Sequence, residues 1–167
     1  MSESDVVFSS KLKYDGIFSF KDLYKFCYDW LSQEPGLTVV EGKYSEKVKG
    51  TIKDIDVEWE GTKKLSDYFQ FTAKVKFKII AMSQVEINQG ASKISTNKGS
   101  IEISIKGILV RDYEGKFEVS ASKKMWRSIY EKFVIPQRMK AVEDKIAGDC
   151  DEFLGQTKAF LDLEGKK

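Results

Sequence analysis

The chain contains no histidine. That removes Ser-His-Asp and Cys-His machinery, imidazole general-base work and histidine-based zinc sites. Cysteine is nearly as scarce: Cys27 and Cys150 are the two present, each among apolar neighbours. Two isolated cysteines make neither a disulfide framework nor a zinc site, so they read as buried, reduced thiols acting as small hydrophobes. Proline occurs only at Pro35 and Pro136, and no Pro/Ser-rich linker, internal repeat or low-complexity tract divides the chain. Arginine appears only at Arg111, Arg127 and Arg138, and the 28 Lys and Arg nearly cancel the 26 Asp and Glu. Basic residues cluster no further than short pairs such as Lys63-Lys64 and Lys123-Lys124. Without a concentrated cationic footprint, nucleic-acid binding is not expected. Phosphate-binding fingerprints are missing too, since no Gly-rich loop opens a helix and no Walker-type Gly-Lys-Ser/Thr occurs. No apolar run approaches the roughly 18 residues that cross a bilayer, so no transmembrane segment is expected. The start, Met1-Ser2-Glu3-Ser4-Asp5, is polar and acidic rather than signal-like, which makes a cytoplasmic location the default expectation.

What is present is an ordinary globular balance: 167 residues, 41% hydrophobic, 32% charged and 13% aromatic. A chain of that length buries a core without disulfides or metals, and it reads as a single domain over 1–167. Residues 6–14 alternate from Phe8 onward and read as a strand, with Asp15-Gly16 as a turn or bulge. Ser19-Phe20-Lys21-Asp22 has the form of a capped helix start. Phe20, Leu23, Tyr24, Cys27, Trp30 and Leu31 then follow at helical spacing, giving a helix over 20–33 that ends at Glu34-Pro35-Gly36.

From 37 to about 119 the period is two. Ile55, Val57 and Trp59 alternate with Asp54, Asp56, Glu58 and Glu60. Phe69, Phe71, Ala73, Val75, Phe77 and Ile79 alternate with Gln70, Thr72, Lys74, Lys76 and Lys78, and Ile101, Ile103 and Ile105 with Glu102, Ser104 and Lys106. This is an antiparallel sheet with one dry and one wet face. The acidic strand is expected beside the lysine-rich one, where opposite charges fix the pairing. Turns are expected at Glu41-Gly42, Lys49-Gly50, Glu60-Gly61, Asn88-Gln89-Gly90, Asn97-Lys98-Gly99 and Glu114-Gly115. From about 121 to 162 the pattern is helical again. Met125, Trp126, Ile129, Tyr130 and Phe133 form one stripe, and Met139, Val142, Ile146, Cys150, Phe153 and Phe160 another, interrupted or kinked near Pro136.

The class is therefore α+β. The order of strand, helix, run of antiparallel strands and long C-terminal helix resembles the helix-grip fold of the START and polyketide-cyclase-like superfamily. That resemblance implies a curved antiparallel sheet wrapped around the last helix, with a cavity between them, and binding of lipids, hormones or polyketides.

On this reading a small hydrophobic or lipid-like ligand would meet Trp59, Phe71, Phe77, Ile103, Trp126 and Tyr130, all expected on the dry side. The same rings would serve equally as core filling. The ladder Asp54, Asp56, Glu58 and Glu60 reads as a solvated strand face rather than as paired catalytic carboxylates. Arg111-Asp112-Tyr113 reads as a local turn. No catalytic residue, metal ligand or cofactor site is expected, which leans against an enzyme. The alternative function is a protein partner or homo-oligomer docking on the C-terminal helix through the Met139–Leu161 stripe, although that stripe serves as well to cover the chain's own sheet.

Overall fold

A computed structural model of the chain describes residues 3–66, 68–111 and 135–165. Strand β1 (Glu3–Phe18) leads into helix α1 (Phe20–Gln33). Strands β2 (Thr38–Lys49), β3 (Ile52–Lys64), β4 (Phe69–Gln89) and β5 (Ser92–Arg111) follow, and helix α2 (Ile135–Glu164) comes after them. The sheet is five-stranded and antiparallel, in the order β1-β5-β4-β3-β2. Since β1 and β2 are the opposite edges, α1 carries the chain from one edge to the other. The meander β2 to β5 then returns strand by strand until β5 lies against β1. Among the described residues, no helix is long and apolar enough to cross a membrane.

Helix α1 begins and ends on local chemistry. Ser19 has extended dihedrals (φ −89°, ψ 110°), and its hydroxyl accepts the Asp22 N–H at 3.3 Å. The Phe20 N–H, a further orphan of the first turn, donates to Asn97 Oδ1 of β5 at 3.0 Å. At the other end Gly36 takes φ +73°, and the Leu37 N–H returns to the Leu31 carbonyl at 3.0 Å. The described part of the C-terminal region is α2. Pro136 is its second residue, in the first turn, where a missing N–H leaves no helix bond unmade. The expected helical stretch from 121 to 134 lies outside the described residues.

The sheet's two faces separate as the alternation requires. Ile55, Val57, Trp59, Phe71, Val75, Phe77, Ile79, Ile101, Ile103, Ile105 and Leu109 are buried. On the wet face the acidic and lysine-rich strands are direct neighbours, pairing Asp56 with Lys78, Glu58 with Lys76 and Glu60 with Lys74. Lys76 Nζ lies 3.6 Å from Glu58 Oε1. Exposed pairs of this kind contribute well under 1 kcal/mol each, so their service is mainly to hold register.

Both helices cover the dry face. Helix α1 buries Leu23, Cys27 and Leu31. Helix α2 buries Ile146, Cys150, Phe153, Thr157 and Leu161. They meet through Phe26 stacked on Phe160 (centroids 4.8 Å apart) and Trp30 against Phe153 (5.7 Å). Where α2 crosses β5 it needs Gly107: a Cβ there would come within 2.8 Å of Cys150 Sγ and of Ile146 Cγ2.

Glycine is where the sequence reading and the fold part. Gly50 (φ +63°) and Gly90 (φ +64°) do form turns. Gly16 instead continues β1, opposite Gly99. Gly42 is the extra residue of a bulge within β2. Gly61 stays in β3 because Leu37 occupies its side-chain space, 3.1 Å from where a Cβ would sit. Gly99 stays in β5 because the β4 backbone at Ile80, Ala81 and Met82 approaches within 3.0–3.2 Å of its Cβ position. The turn expected at Glu114-Gly115 lies outside the described residues. At the β4 irregularity between Ile80 and Ser83, Ala81 adopts φ +56°. Its N–H donates to Asp54 Oδ1 at 2.9 Å, and that bond is the main cause holding the Asp54 carboxyl below its ordinary pKa.

One substitution should have opposite signs at two places. Gly107→Ala is expected to destabilise by roughly 1–3 kcal/mol through overpacking against α2. Gly155→Ala, within α2 and with nothing within 4 Å of its Cβ position, should stabilise by roughly 0.5–1 kcal/mol through helix propensity. Urea unfolding midpoints measure both, and equal shifts of one sign would contradict the close crossing.

Candidate functional site: an aromatic corner on the dry face

The residues expected to meet a ligand fall into three groups. Trp59, Phe77 and Ile103 stand together: the Trp59 and Phe77 rings make an edge contact at 4.7 Å, and Phe77 pairs with Ile103 across β4 and β5. Phe71 lies further along β4, opposite Leu109. Trp126 and Tyr130 lie outside the described residues. The four described side chains retain 3% exposure or less. They are packed, and a ligand reaching them must move a neighbour.

The aromatic surface does not end at Trp59. Tyr24 meets it edge-on at 4.9 Å and Tyr28 at 6.0 Å, and Tyr44 meets Tyr24 at 6.5 Å. Phe20, Tyr24 and Tyr28 are spaced by four, so they share one flank of α1. Tyr44 arrives by a different device. In β2 the extra residue at Gly42 changes the parity of the strand, so that Glu41 opposes Trp59 and Tyr44 opposes Val57. Both partners are dry-side residues, and Glu46, opposite Ile55, follows them. Glu41 precedes the bulge and keeps the parity of Val39, so the bulge adds the even-numbered Tyr44 and Glu46 to the same side of the strand.

Both glutamates are exposed, and each accepts a hydrogen bond from a phenol. Tyr24 donates its hydroxyl to Glu41, and Tyr44 donates to Glu46 at 2.8 Å. Lys53 Nζ lies 3.9 Å from the other Glu46 oxygen. Both phenols are pushed above their ordinary pKa, first by burial and next by these bonds to a carboxylate, with an opposing contribution from Trp59 at Tyr24. The tyrosines therefore stay neutral donors through the physiological range. Tyr28 and Tyr44 are each 43% exposed, so the cluster grades from buried indole to open phenol. It offers apolar ring faces, hydroxyls already committed to carboxylates, and negative charge at the rim.

The other constellations offer less. Grooves of about 260 and 220 Å³ run over the wet face between β3 and β4. Their walls are the side chains of the charged ladder, Glu58, Lys74, Lys76 and Lys78 among them, which suits water rather than an apolar guest. Among the described residues, no group of three or more His, Cys, Asp or Glu could hold a metal ion. The described part of the C-terminal stripe faces the chain's own sheet and α1, leaving Leu163 as its exposed large apolar side chain. Tyr28 and Tyr44 were not singled out by the sequence reading. The spacing of Tyr24 and Tyr28 could have marked the first, but a bulge displaces Tyr44 from any alternation that could have marked it.

Comparison of the chain with protein-family models, curated proteins and solved structures finds no match in any of the three.

The thiols are set apart from this corner. Cys27 is fully buried, 3.8 Å from Thr157 Oγ1, and Cys150 lies under β5. Burial pushes each thiol up to about 12. In the unfolded chain they ionise near their ordinary value of 9.0. Stability should therefore be insensitive to them below that pH and fall as pH rises from about 9 toward 12. Labelling by a thiol-disulfide reagent at pH 8 should proceed at the rate of opening, accelerating with urea. Immediate labelling of either thiol in native protein would contradict this burial.

Proposed function

We propose that this protein is a non-enzymatic binding protein that takes a small apolar or lipid-like ligand between the sheet and its covering helices. The ligand enters at the corner formed by Tyr24, Tyr28, Tyr44 and Trp59. One observation carries the reading: an aromatic surface running without a break from the buried Phe77–Trp59 contact to rings that are 43% exposed. Ligand sites combine apolar and aromatic walls with a few placed polar groups, and this corner has both. The helix-grip likeness, a sheet curved around a helix, belongs to the same proposal. Because the inner rings are close-packed, binding requires the α1 flank and the β2 edge to part, and the outer tyrosines form the first contact.

The test is a titration with 1-octanol followed by the ring NMR signals of the tyrosines. Saturable shifts of Tyr24, Tyr28 and Tyr44 are expected. The double substitution Tyr28→Ala/Tyr44→Ala should weaken binding by about tenfold, the loss of roughly 1.4 kcal/mol of ring contact. Native mass spectrometry should show a small co-purifying mass. A clean polypeptide mass together with no saturable shift would end the proposal.

A further inference from the structure

We infer that the outer edge of β2, over Lys43–Lys49, is a docking edge for an extended acidic segment of a partner protein, which adds to the sheet as a further strand. This goes beyond the ligand reading and does not depend on it.

The first ground is the backbone. Strand β2 closes one side of the sheet, and no strand lies beyond it in the sheet order. Past the Gly42 bulge, Lys43 to Lys49 pair with Glu58 to Ile52 of β3 residue by residue, with no further shift. That regular run is longer than the ordinary strand of about 5–6 residues. Alternate N–H and C=O groups of such a run point away from β3, and among the described residues no backbone bond takes them up. Adding a strand is how an extended peptide engages groups of this kind.

The second ground is charge. Lys43, Ser45 and Lys47 oppose Glu58, Asp56 and Asp54, which places them on the wet face, and Lys49 shares their parity. The wet side chains therefore run in columns: lysines on β4, acids on β3, lysines on β2. Each lysine column already has acids as its neighbour, and the outer side of β2 is where the alternation stops. Lys49 lies 3.7 Å from Asp54, whereas Lys43 and Lys47 form no ion pair among the described residues. Acids at alternate positions of an added strand would face Lys43, Lys47 and Lys49. Lysines on an edge keep out unselected strands, and an acidic strand is the one they favour.

The dry side of the same run sets the rest of the partner's pattern. Tyr44 is 43% exposed and Val48 64%. Glu46, between them, is answered by Tyr44 and Lys53. The residues between the partner's acids are therefore apolar, to meet Tyr44 and Val48. The other edge, β1, offers no such column, since Lys11 and Lys13 both already reach Glu102.

The experiment titrates the whole protein with capped peptides and reads backbone amide NMR signals at fixed ionic strength. The acidic probe is Asp-Ile-Asp-Val-Glu-Val-Glu. Its controls are the same peptide with lysine at the four acidic places, and the acidic peptide N-methylated at every peptide bond, which keeps the charges and cannot donate backbone bonds. The acidic probe should shift the amides of Lys43–Lys49, and both controls should bind at least about tenfold more weakly. Lys43→Glu/Lys47→Glu changes two exposed residues, so the fold should survive it, as unchanged β4 and β5 amides would show. In that variant the acidic probe should weaken by about tenfold or more, while the lysine probe gains. If the N-methylated peptide binds as well as its parent, the contact is charge alone and strand addition is wrong. Equal binding of the lysine probe, shifts away from the β2 edge, or no binding at millimolar peptide would each overturn the proposal. Concentration-dependent dimerisation through the same amides would make the occupant a second copy, and the acidic partner would be wrong.

Discussion

The molecule depends on strand parity. Successive side chains of a strand point to opposite faces, so a slip of one residue would exchange the isoleucines and phenylalanines of β4 and β5 for their lysines and serines. The dry face is kept in phase by direct pairing of Phe77 with Ile103 and Val75 with Ile105, and the wet face by the acid-lysine ladder between β3 and β4. Only on a dry face kept in phase can α1 and α2 find a common surface. The closest crossing, α2 over Gly107, tolerates no displacement of β5 by one residue, because Lys106 or Ile108 would then meet Cys150.

Departures from parity are equally informative. Irregularities fall between Val6 and Phe8, Glu41 and Lys43, Lys53 and Ile55, and Ile80 and Ser83. The one in β2 has chemical consequences, since it sets Tyr44 and Glu46 opposite the dry-side residues Val57 and Ile55, on the side where Glu41 opposes Trp59. It also lies on an edge strand whose outer side has no partner in the sheet order. A bulge and lysines at Lys43, Lys47 and Lys49 are the means by which edges resist pairing with other chains. The same feature that defends the edge thus shapes the corner.

The strongly periodic parts of the fold were legible in the sequence. Helix α1 falls on residues 20–33 because its cap, its stripe and its terminating Pro-Gly agree, and the charge ladder follows from alternation alone. The glycines were harder, because one residue type answers two different needs. At Gly50 and Gly90 it supplies a positive φ, whereas at Gly61 and Gly99 it makes room for Leu37 or for neighbouring backbone. Only tertiary contacts separate those cases. For the same reason the buried half of the corner, Trp59 with Phe77, could be named from spacing, as could Tyr28 on the flank of α1, whereas Tyr44 could not. Tyr44 owes its direction to an inserted residue, and Glu41 sits in a position that alternation alone assigns no partner.

The pairing of β1 has a consequence for how the chain is made. Its partner is β5, with Ser4 opposite Val110 and Phe18 opposite Asn97. At roughly 5–20 residues per second, a ribosome needs on the order of ten seconds to move from one partner to the other. Throughout that interval the nascent N-terminal strand has no backbone mate, and its closure over so long a loop comes late and slowly. The polar, serine- and lysine-studded run Ser9-Ser10-Lys11-Leu12-Lys13 is the kind of segment that can wait in water without finding a wrong partner.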